Sequence, residues 1–242
     1  MRTFLVGAFK SPSYGVRRMS SDNPVAPLRV ALVLGSTRTE GPPRPTNLGN
    51  RIGLFLSALV RSQGHDIDII DPIEEDLPLL QRPHFTYGAA DVPPRLDALA
   101  SRLKTADAYI MVTPEYNHAP SPALLNLLNH FGSSVFSFKA SAIVSYSAGQ
   151  WGGTRAAHAL RPTLSELGCL PVSAMIHIPK AQEAFNGEGM PVEDQERWIN
   201  YASRGLDQLE WWAMAARDHR RLVDPLQRSP PLRTSPAQRN AP

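Results

Sequence analysis

The chain repeats one pattern five times: a short apolar segment, followed by a segment with helical spacing. The first apolar segment, LRVALVLG at 28–35, is nearly continuous and closes with glycine, as is typical of a strand covered on both faces of a parallel sheet. A helix is predicted at 47–63, with Asn47 as its N-cap and Gly64 after its end. Further strands are predicted at 65–71, 108–113, 142–147 and 172–178, and further helices at 94–104, 121–131, 153–167 and 192–216.

Strands that alternate with helices in this way predict a doubly wound α/β fold, with helices on both faces of a parallel sheet. The 242 residues, 42% of them hydrophobic, suffice for one full core, so we expect one domain at 28–216. Ligands of such folds bind outside the carboxyl ends of the strands. The loops after the first, third and fourth strands are therefore the places to look for function.

Both ends of the chain differ in composition from this domain. Residues 1–27 are rich in Ser and carry four Lys or Arg against one acid, which predicts a disordered extension or an organellar targeting segment. Residues 217–242 hold six Arg, two Asp and five Pro, which predicts a disordered tail. The region between them has a net charge of −4. The basic pI of about 9.2 thus arises at the ends, and we expect no nucleic-acid binding by the fold.

Several classes of function are disfavoured by composition. The single cysteine, Cys169, excludes an internal disulfide framework and a multi-cysteine metal site. No apolar run reaches the roughly 18 residues of a membrane span, so we expect a soluble, cytoplasmic protein unless residues 1–27 direct import. No Ser-His-Asp or Cys-His arrangement is recognisable at a fixed spacing. We therefore expect neither a catalytic side chain nor a metal site.

Each of the three loops has an unusual sequence. GSTRTEGPPRPTN at 35–47 combines glycine, hydroxyl side chains, Arg38 and a helix start, the components of a phosphate site, although an ordinary turn has similar residues. TPEYNHAPSP at 113–122 holds prolines that stiffen a backbone able to present amides and an aromatic edge to a flat ligand, or it forms a simple turn. SAGQWGG at 147–153 has glycines that permit close backbone approach to a ring.

Together the three loops resemble the NADPH-dependent FMN reductase family, whose members carry a GSxR phosphate loop, a PEYN segment and a Ser/Gly-rich third loop in this order. PEYN at 114–117, followed by a helix with Asn126, is the most specific element. The resemblance covers roughly residues 28–180. It implies a flavodoxin-like five-stranded sheet of order 2-1-3-4-5, FMN at the sheet edge, NADPH as reductant, and homodimers or homotetramers.

Carried over by position, the resemblance implies a cofactor site in three parts. The FMN phosphate would be surrounded by Ser36, Arg38, Thr46, Asn47 and Leu48; the isoalloxazine ring would be lined by Pro114, Glu115, Tyr116 and Asn117; and its other edge would be approached by Ser147, Gly149 and Gly153. Tyr116 is the expected ring contact and Arg38 the expected phosphate partner, because a planar guanidinium suits phosphate oxygens. Glu115 is expected to face solvent, and His118 either supplies a proton to an acceptor or is incidental.

The sequence departs from the family pattern at two places. Pro42, Pro43, Arg44 and Pro45 stretch the first loop, which leaves the phosphate ligands open. The helix after PEYN has Leu125, Asn129 and His130 where the family commonly places Lys, Asp and Trp. This region often serves subunit contacts. We nevertheless expect the helix at 123–131, with Leu125 and Phe131, to bury area against a second copy.

Three hypotheses remain open at this point. The first is an NAD(P)H-dependent FMN or quinone reductase, in which the cofactor carries out the hydride chemistry and the protein supplies position and electrostatics. The second is a flavin-binding electron carrier or regulatory module without NAD(P)H turnover. The third is a protein that keeps the fold but has lost flavin because the proline segment blocks the phosphate site.

Overall fold

The sheet is formed by the apolar segments that the sequence predicts as strands. The computed structural model describes residues 26–228, so most of the predicted extension at 1–27 and the predicted tail from residue 229 onward lie outside the described residues. The strands are β1 Arg29–Leu34, β2 Asp66–Ile70, β3 Ala108–Tyr116, β4 Ala119–Pro120, β5 Lys139–Tyr146, β6 Cys169–Pro171 and β7 Ile176–Ile178.

Helices connect most of these strands along the chain. They are α1 Leu48–Ser62, α2 Pro72–Glu75, α3 Pro94–Thr105, α4 Pro122–His130, α5 Ser133–Phe136, α6 Thr154–Glu166, α7 Ala181–Ala184, α8 Gln195–Leu222 and α9 Pro225–Arg228, with a 3-10 turn at His84–Thr86. Several begin with proline at the first helical position, where the missing N–H has no intrahelical acceptor to lose.

The strand order is β2-β1-β3-β5-β6, and neighbouring strands along it are parallel. The register places Val112 of β3 opposite Leu34 of β1 on one side and opposite Val144 of β5 on the other. β7 also pairs in parallel with β5, and β4 pairs antiparallel with the end of β3. Because β6 and β7 together take the place of the last predicted strand, the flavodoxin-like order 2-1-3-4-5 is confirmed.

The core lies on both faces of the sheet, as the continuous apolar runs predict. Val30, Leu32 and Leu34 of β1 pack with α1 and α8 on one face. Ala31 and Val33 of the same strand pack with α3, α4 and α6 on the other. At the carboxyl edge of the sheet, loops extend beyond these two packed layers. These loops contain the candidate site.

β7 lies within the segment predicted to contain the last strand, 172–178, whereas β6 precedes that segment, and the chain between β6 and β7 interrupts the strand. In the interruption, backbone groups form hydrogen bonds with side chains. Arg161 donates to the Val172 carbonyl at 2.6 Å, and Gln208 accepts the N–H of Ala174 at 2.9 Å. These partners come from α6 and α8, so the interruption depends on tertiary packing that the local sequence does not report.

The helix α8 continues past residue 216, where the sequence predicts the end of the domain. Arg217 is buried, and its guanidinium donates to the carbonyls of Ala26 at 2.7 Å and Pro27 at 3.3 Å. This contact ties α8 to the segment that enters β1. Residues 217–222 belong to α8, although their composition resembles that of the arginine-rich segment that follows.

The helix α4 does not offer the apolar face that was expected to meet a second copy. Phe131, directly after α4, is buried in the core of its own chain, and Leu125 is only partly exposed. The exposed apolar side chains of this region are instead Leu79 and Phe85, in the segment between α2 and α3. The expectation about Phe131 is thus wrong, because α4 packs its apolar side onto the sheet.

Within residues 26–228, no helix is long and apolar enough to span a membrane. Over the same range, no group of three or more His, Cys, Asp or Glu side chains is placed to hold a metal ion. Cys169 is fully buried, and burial raises the pKa of its thiol to about 12 because desolvation disfavours the thiolate. Its position in the core at β6 makes it a packing residue.

A lysine is buried at the start of β5. The ammonium of Lys139 donates to the carbonyls of Leu103 at 3.1 Å and Lys104 at 2.7 Å, near the C-terminus of α3, and to the Tyr109 hydroxyl at 3.0 Å. Burial, together with the nearby Arg220 guanidinium, lowers the pKa of Lys139 to about 8. The native state therefore releases this proton at a lower pH than the unfolded chain does.

We expect this lysine to make the protein more stable as the pH rises. Native Lys139 loses its proton near pH 8, whereas an unfolded lysine keeps it to about 10.5, so the free energy of unfolding should rise by roughly 2 kcal/mol between about pH 7 and 10. Below about pH 7 both states hold the proton, and the contribution is flat. In Lys139→Met this part of the rise should be absent, as measured by urea unfolding across that range. Lys104→Met, which removes an exposed lysine nearby, is the control; an undiminished rise in Lys139→Met contradicts the assignment.

Candidate functional site

A pocket with about 570 Å³ of empty volume lies at the carboxyl ends of β1, β3 and β5. The strand order changes direction between β1 and β3, where doubly wound folds bind ligands. All three loops contribute. The lining residues are Ser36, Arg38, Glu40, Gly41, Pro43, Pro45, Thr46, Asn47 and Leu48 from the first loop, Pro114, Glu115 and Tyr116 from the second, and Tyr146, Ser147 and Ala148 from the third.

The N-terminus of α1 opens into this pocket. Asn47 occupies the predicted N-cap position in a left-handed conformation with φ of 55°, but its side chain makes no capping hydrogen bond. The first turn of α1 contains no acidic residue. The partial positive charge of the helix start is therefore not offset within the helix. An anion fits such a terminus, because free backbone N–H groups and the helix dipole both favour negative charge.

Side chains of the first loop contact the second loop across the pocket. The Ser36 hydroxyl accepts the backbone N–H of Arg38 at 3.2 Å and lies 3.4 Å from the Tyr116 hydroxyl. The Arg38 guanidinium donates to the Pro42 carbonyl, and its central carbon lies 5.9 Å from the centre of the Tyr116 ring. The proline segment, through residues such as Pro43, forms a wall of the pocket and leaves it open.

The PEYN segment forms the end of β3 and the beginning of a tight hairpin. Glu115 and Tyr116 pair antiparallel with β4, and the turn consists of Asn117 and His118 with φ of 52° and 63°. Two successive residues with positive φ are characteristic of two-residue hairpin turns. Asn117 and His118 are exposed at the tip and do not line the pocket. The structure therefore brings Pro114, Glu115 and Tyr116 to the site without these two neighbours.

Glu115 does not face solvent, so that expectation is wrong. Its side chain is only 10% exposed, and its carboxylate accepts the backbone N–H groups of Arg155 at 3.0 Å and Ala156 at 3.2 Å. α6 begins after Gly153, which has no side chain to cap the helix. A carboxylate from β3 thus caps α6, and its negative charge interacts favourably with the dipole of that helix. The residue links the second loop to the third.

The glycines of the third loop are used for packing against the sheet. A Cβ added to Gly153, which has φ of 77°, would lie 2.9 Å from the Tyr146 nitrogen. The Gly149 carbonyl accepts the N–H of Lys180 at 3.0 Å. Neither glycine lines the pocket, whereas Ser147 and its neighbour Ala148 do. The close backbone approach at Gly153 is therefore an approach to protein atoms.

Tyr146 is a pocket residue that the sequence reasoning missed. It is the last residue of β5, it is buried, and its hydroxyl would lie 3.0 Å from a Cβ added to Gly49 of α1. Burial raises its pKa well above the ordinary value of a phenol, an effect that a hydrogen bond with Ser36 partly offsets. Tyr146 therefore stays neutral. In the sequence, its place near the carboxyl end of a predicted strand is the feature that could have indicated a pocket residue.

Asn126, the helix residue that follows PEYN in the family pattern, lies outside the pocket. Its amide donates to the Pro78 carbonyl at 2.9 Å and accepts the N–H of Leu80 at 2.9 Å. His130 also contacts the Pro78 carbonyl, at 2.9 Å. These two α4 side chains hold the segment after α2 against α4. Their role in this structure is to position a loop.

The sheet is doubly wound, and an uncapped helix N-terminus and aromatic side chains lie at the point where its strand order reverses. These features define a flavodoxin-like mononucleotide-binding α/β protein. The family model described as NADPH-dependent FMN reductase matches residues 28–183, and the chain belongs to that family. It is an oxidoreductase with FMN as cofactor and NAD(P)H as reductant.

Individual relatives agree with this assignment. The chain is 30% identical to an NAD(P)H-dependent FMN reductase of Pseudomonas aeruginosa, over 58% of this chain and 76% of the relative. It is 32% identical to a quinone reductase of Pseudomonas putida, over 72% of this chain and 86% of the relative. Among solved structures, FerB, a flavoenzyme NAD(P)H:(acceptor) oxidoreductase from Paracoccus denitrificans, has the same fold, with a TM-score of 0.59 at 21% identity over 76% of this chain and 97% of FerB.

Removal of the Glu115 carboxylate should loosen α6. In Glu115→Ala the N–H groups of Arg155 and Ala156 lose their acceptor, so we expect a loss of about 1–2 kcal/mol in the free energy of unfolding. Urea unfolding of the FMN-free protein measures it. Glu115→Gln, which keeps an oxygen acceptor but removes the charge, is the matched control and should lose less. Equal stability of Glu115→Ala and the wild type contradicts the capping role.

Proposed function

We propose that the pocket binds FMN and that the protein transfers a hydride from NADPH to the bound flavin and then to a quinone or another small planar acceptor. The observation that carries the proposal is the convergence of an uncapped helix start, Arg38 and the Tyr116 ring on one pocket. The first two suit a phosphate and the third suits a flat ring. FMN contains both groups in one molecule.

The phosphate end of FMN is assigned to the first loop. The N–H groups at the start of α1, near Asn47 and Leu48, supply backbone donors, and Ser36 and Thr46 supply hydroxyl groups. Arg38 adds a permanent positive charge on a planar, multidentate group. Glu40 also lines the pocket and is exposed, whereas Leu48 is buried.

The flavin ring is assigned to the space between the second and third loops. Pro114 and Tyr116 line one side of it, and Ser147 and Ala148 line the other. Tyr146 closes the floor, and its raised pKa keeps the phenol neutral and able to donate a hydrogen bond. The contact between Ser36 and Tyr116 holds the phosphate part and the ring part of the site in a fixed relation.

The bound flavin supplies the hydride chemistry when it is present. Among residues 26–228, no histidine and no cysteine lines the pocket, and we assign to its side chains the roles of binding, orienting and excluding water. Glu115 is engaged as the cap of α6 and is not free to accept a proton. Relatives named quinone reductase support a quinone as the acceptor.

Spectroscopy of the purified protein tests this function. The protein should show a flavin spectrum, as purified or after addition of FMN, and the spectrum should bleach when NADPH is added without oxygen. Steady-state oxidation of NADPH with a quinone should then follow. A flavin spectrum that persists with NADPH points to an electron carrier, and the absence of any bound flavin after addition of FMN overturns the proposed site.

Replacement of Arg38 should weaken FMN more than riboflavin. Charge-assisted hydrogen bonds to phosphate contribute about 1.5–3 kcal/mol, so Arg38→Gln should raise the Kd for FMN roughly 10- to 100-fold. The Kd for riboflavin, which lacks the phosphate, should change little. Flavin fluorescence titration measures both values. Arg95→Gln, at an exposed position on α3, is the control, and equal losses for the two flavins contradict a phosphate role for Arg38.

We propose that the protein assembles as a homodimer or homotetramer. The exposed apolar side chains Leu79 and Phe85 lie on the segment that Asn126 and His130 hold against α4. Their burial against a second copy would remove apolar surface from water. Light scattering at micromolar concentration should give at least twice the mass of the chain. Leu79→Ser should lower that mass, and a monomeric wild type contradicts the proposal.

A further inference from the structure

A large aromatic side chain is exposed to solvent in the loop that supplies Ser147 and Ala148 to the pocket, and it is not itself a lining residue. Trp151 is 61% exposed, and it lies in the third loop between Ala148, which lines the pocket, and the start of α6. The other aromatic residues of the site, Tyr116 and Tyr146, are partly or fully buried. An exposed indole next to a cofactor pocket offers a flat apolar surface to a molecule that enters from solvent.

The backbone on both sides of Trp151 is held in place. Its carbonyl accepts the N–H of Thr154 at 3.2 Å and the Thr154 hydroxyl at 2.7 Å. The carbonyl of Gly152 accepts the Ser145 hydroxyl at 2.8 Å, and a Cβ added to Gly152 would lie 3.0 Å from the Ile178 nitrogen. The indole is thus presented from an ordered loop. A ligand that stacks on it need not first order the backbone.

A cation lies next to this ring and connects it to the pocket. The central carbon of the Arg155 guanidinium is 6.0 Å from the centre of the Trp151 ring. The same guanidinium is 3.7 Å from the carboxylate of Glu115, which lines the pocket. The Arg155 side chain remains 47% exposed, and the Glu115 carboxylate beside it already accepts two backbone N–H groups. Its positive charge is therefore available to an incoming anion.

We propose that Trp151 and Arg155 form a rim subsite that binds a planar ring bearing an anionic group, as the second substrate of the flavin site. The indole stacks on the ring, and the guanidinium pairs with a phosphate, sulfonate or carboxylate. Two sources share this chemistry: the adenosine end of NADPH with its ribose 2′-phosphate, and an anionic aromatic acceptor. The inference rests on the proposed function, and it names residues that select the substrate and do not touch the flavin.

Steady-state kinetics of Trp151→Leu, with two pairs of substrates, test the subsite. In the first arm NADPH is compared with NADH, with an uncharged benzoquinone as acceptor. In the second arm a naphthoquinone sulfonate is compared with the uncharged naphthoquinone, with NADPH at saturation. We expect the KM of the anionic member of at least one pair to rise about five- to tenfold, with kcat nearly unchanged, since an aromatic contact of this kind contributes about 1 kcal/mol. Trp151→Phe should restore most of the loss.

Trp211→Leu is the matched control, because Trp211 is 64% exposed but lies on α8, outside the pocket. It should leave every KM at the wild-type value. Arg155→Gln should abolish the preference for the anionic member of the affected pair and the salt dependence of its KM. The arm that responds identifies the source: the NADPH pair indicates the adenosine end, and the sulfonate pair indicates the acceptor.

The outcomes separate this inference from the proposed function. An inactive, flavin-free wild type overturns the proposed function itself. An active wild type whose KM values are unchanged in Trp151→Leu overturns the rim subsite alone. A change in KM that Trp211→Leu reproduces, or a loss of assembly in Trp151→Leu by light scattering, also overturns it, because the effect would then come from general stability or from a subunit contact.

Discussion

Parallel pairing of β1, β3 and β5 is the constraint on which the site depends. Parallel strands end at the same edge of a sheet, so the segments that follow these three strands meet although they are far apart along the chain. The pairing is stabilised by apolar side chains on both faces, which bury the strands between two helical layers. The helices leave the carboxyl edge open, and that opening is the pocket.

Contacts between loops convert this proximity into a defined geometry. The Ser36 hydroxyl meets Tyr116, which joins the first loop to the second, and the Glu115 carboxylate caps α6, which joins the second to the third. Glu115 and Tyr116 are adjacent residues on a strand, so their side chains point in opposite directions. One short segment therefore holds both neighbouring loops. The Glu115 carboxylate and the Tyr116 hydroxyl of this segment are thus both engaged with protein atoms.

Local sequence does not decide the role of a residue whose type suits both function and packing. Glycines at 149 and 153 are compatible with a close ligand, yet the backbone near Gly153 is occupied by β5. An acidic residue beside a turn is ordinarily exposed, yet Glu115 has a helix N-terminus within reach. Asn117 belongs to the most specific motif, but the hairpin turns it to the tip. For Glu115 the deciding partner is distant in the chain and invisible to local pattern.

The sequence by itself determined the class of fold and the three loops that form the pocket, because alternating apolar periodicity and the position of loops after strands are properties of local sequence. The sequence also implied the strand order, through the family resemblance. It also indicated the family through GSTR and PEYN. Only the tertiary structure decided which residues of those loops face the pocket, that Tyr146 is among them, that the last strand is interrupted, and that Trp151 stands beside Arg155. These features depend on side chains that meet across the fold, and their energies exist only once distant segments are brought together.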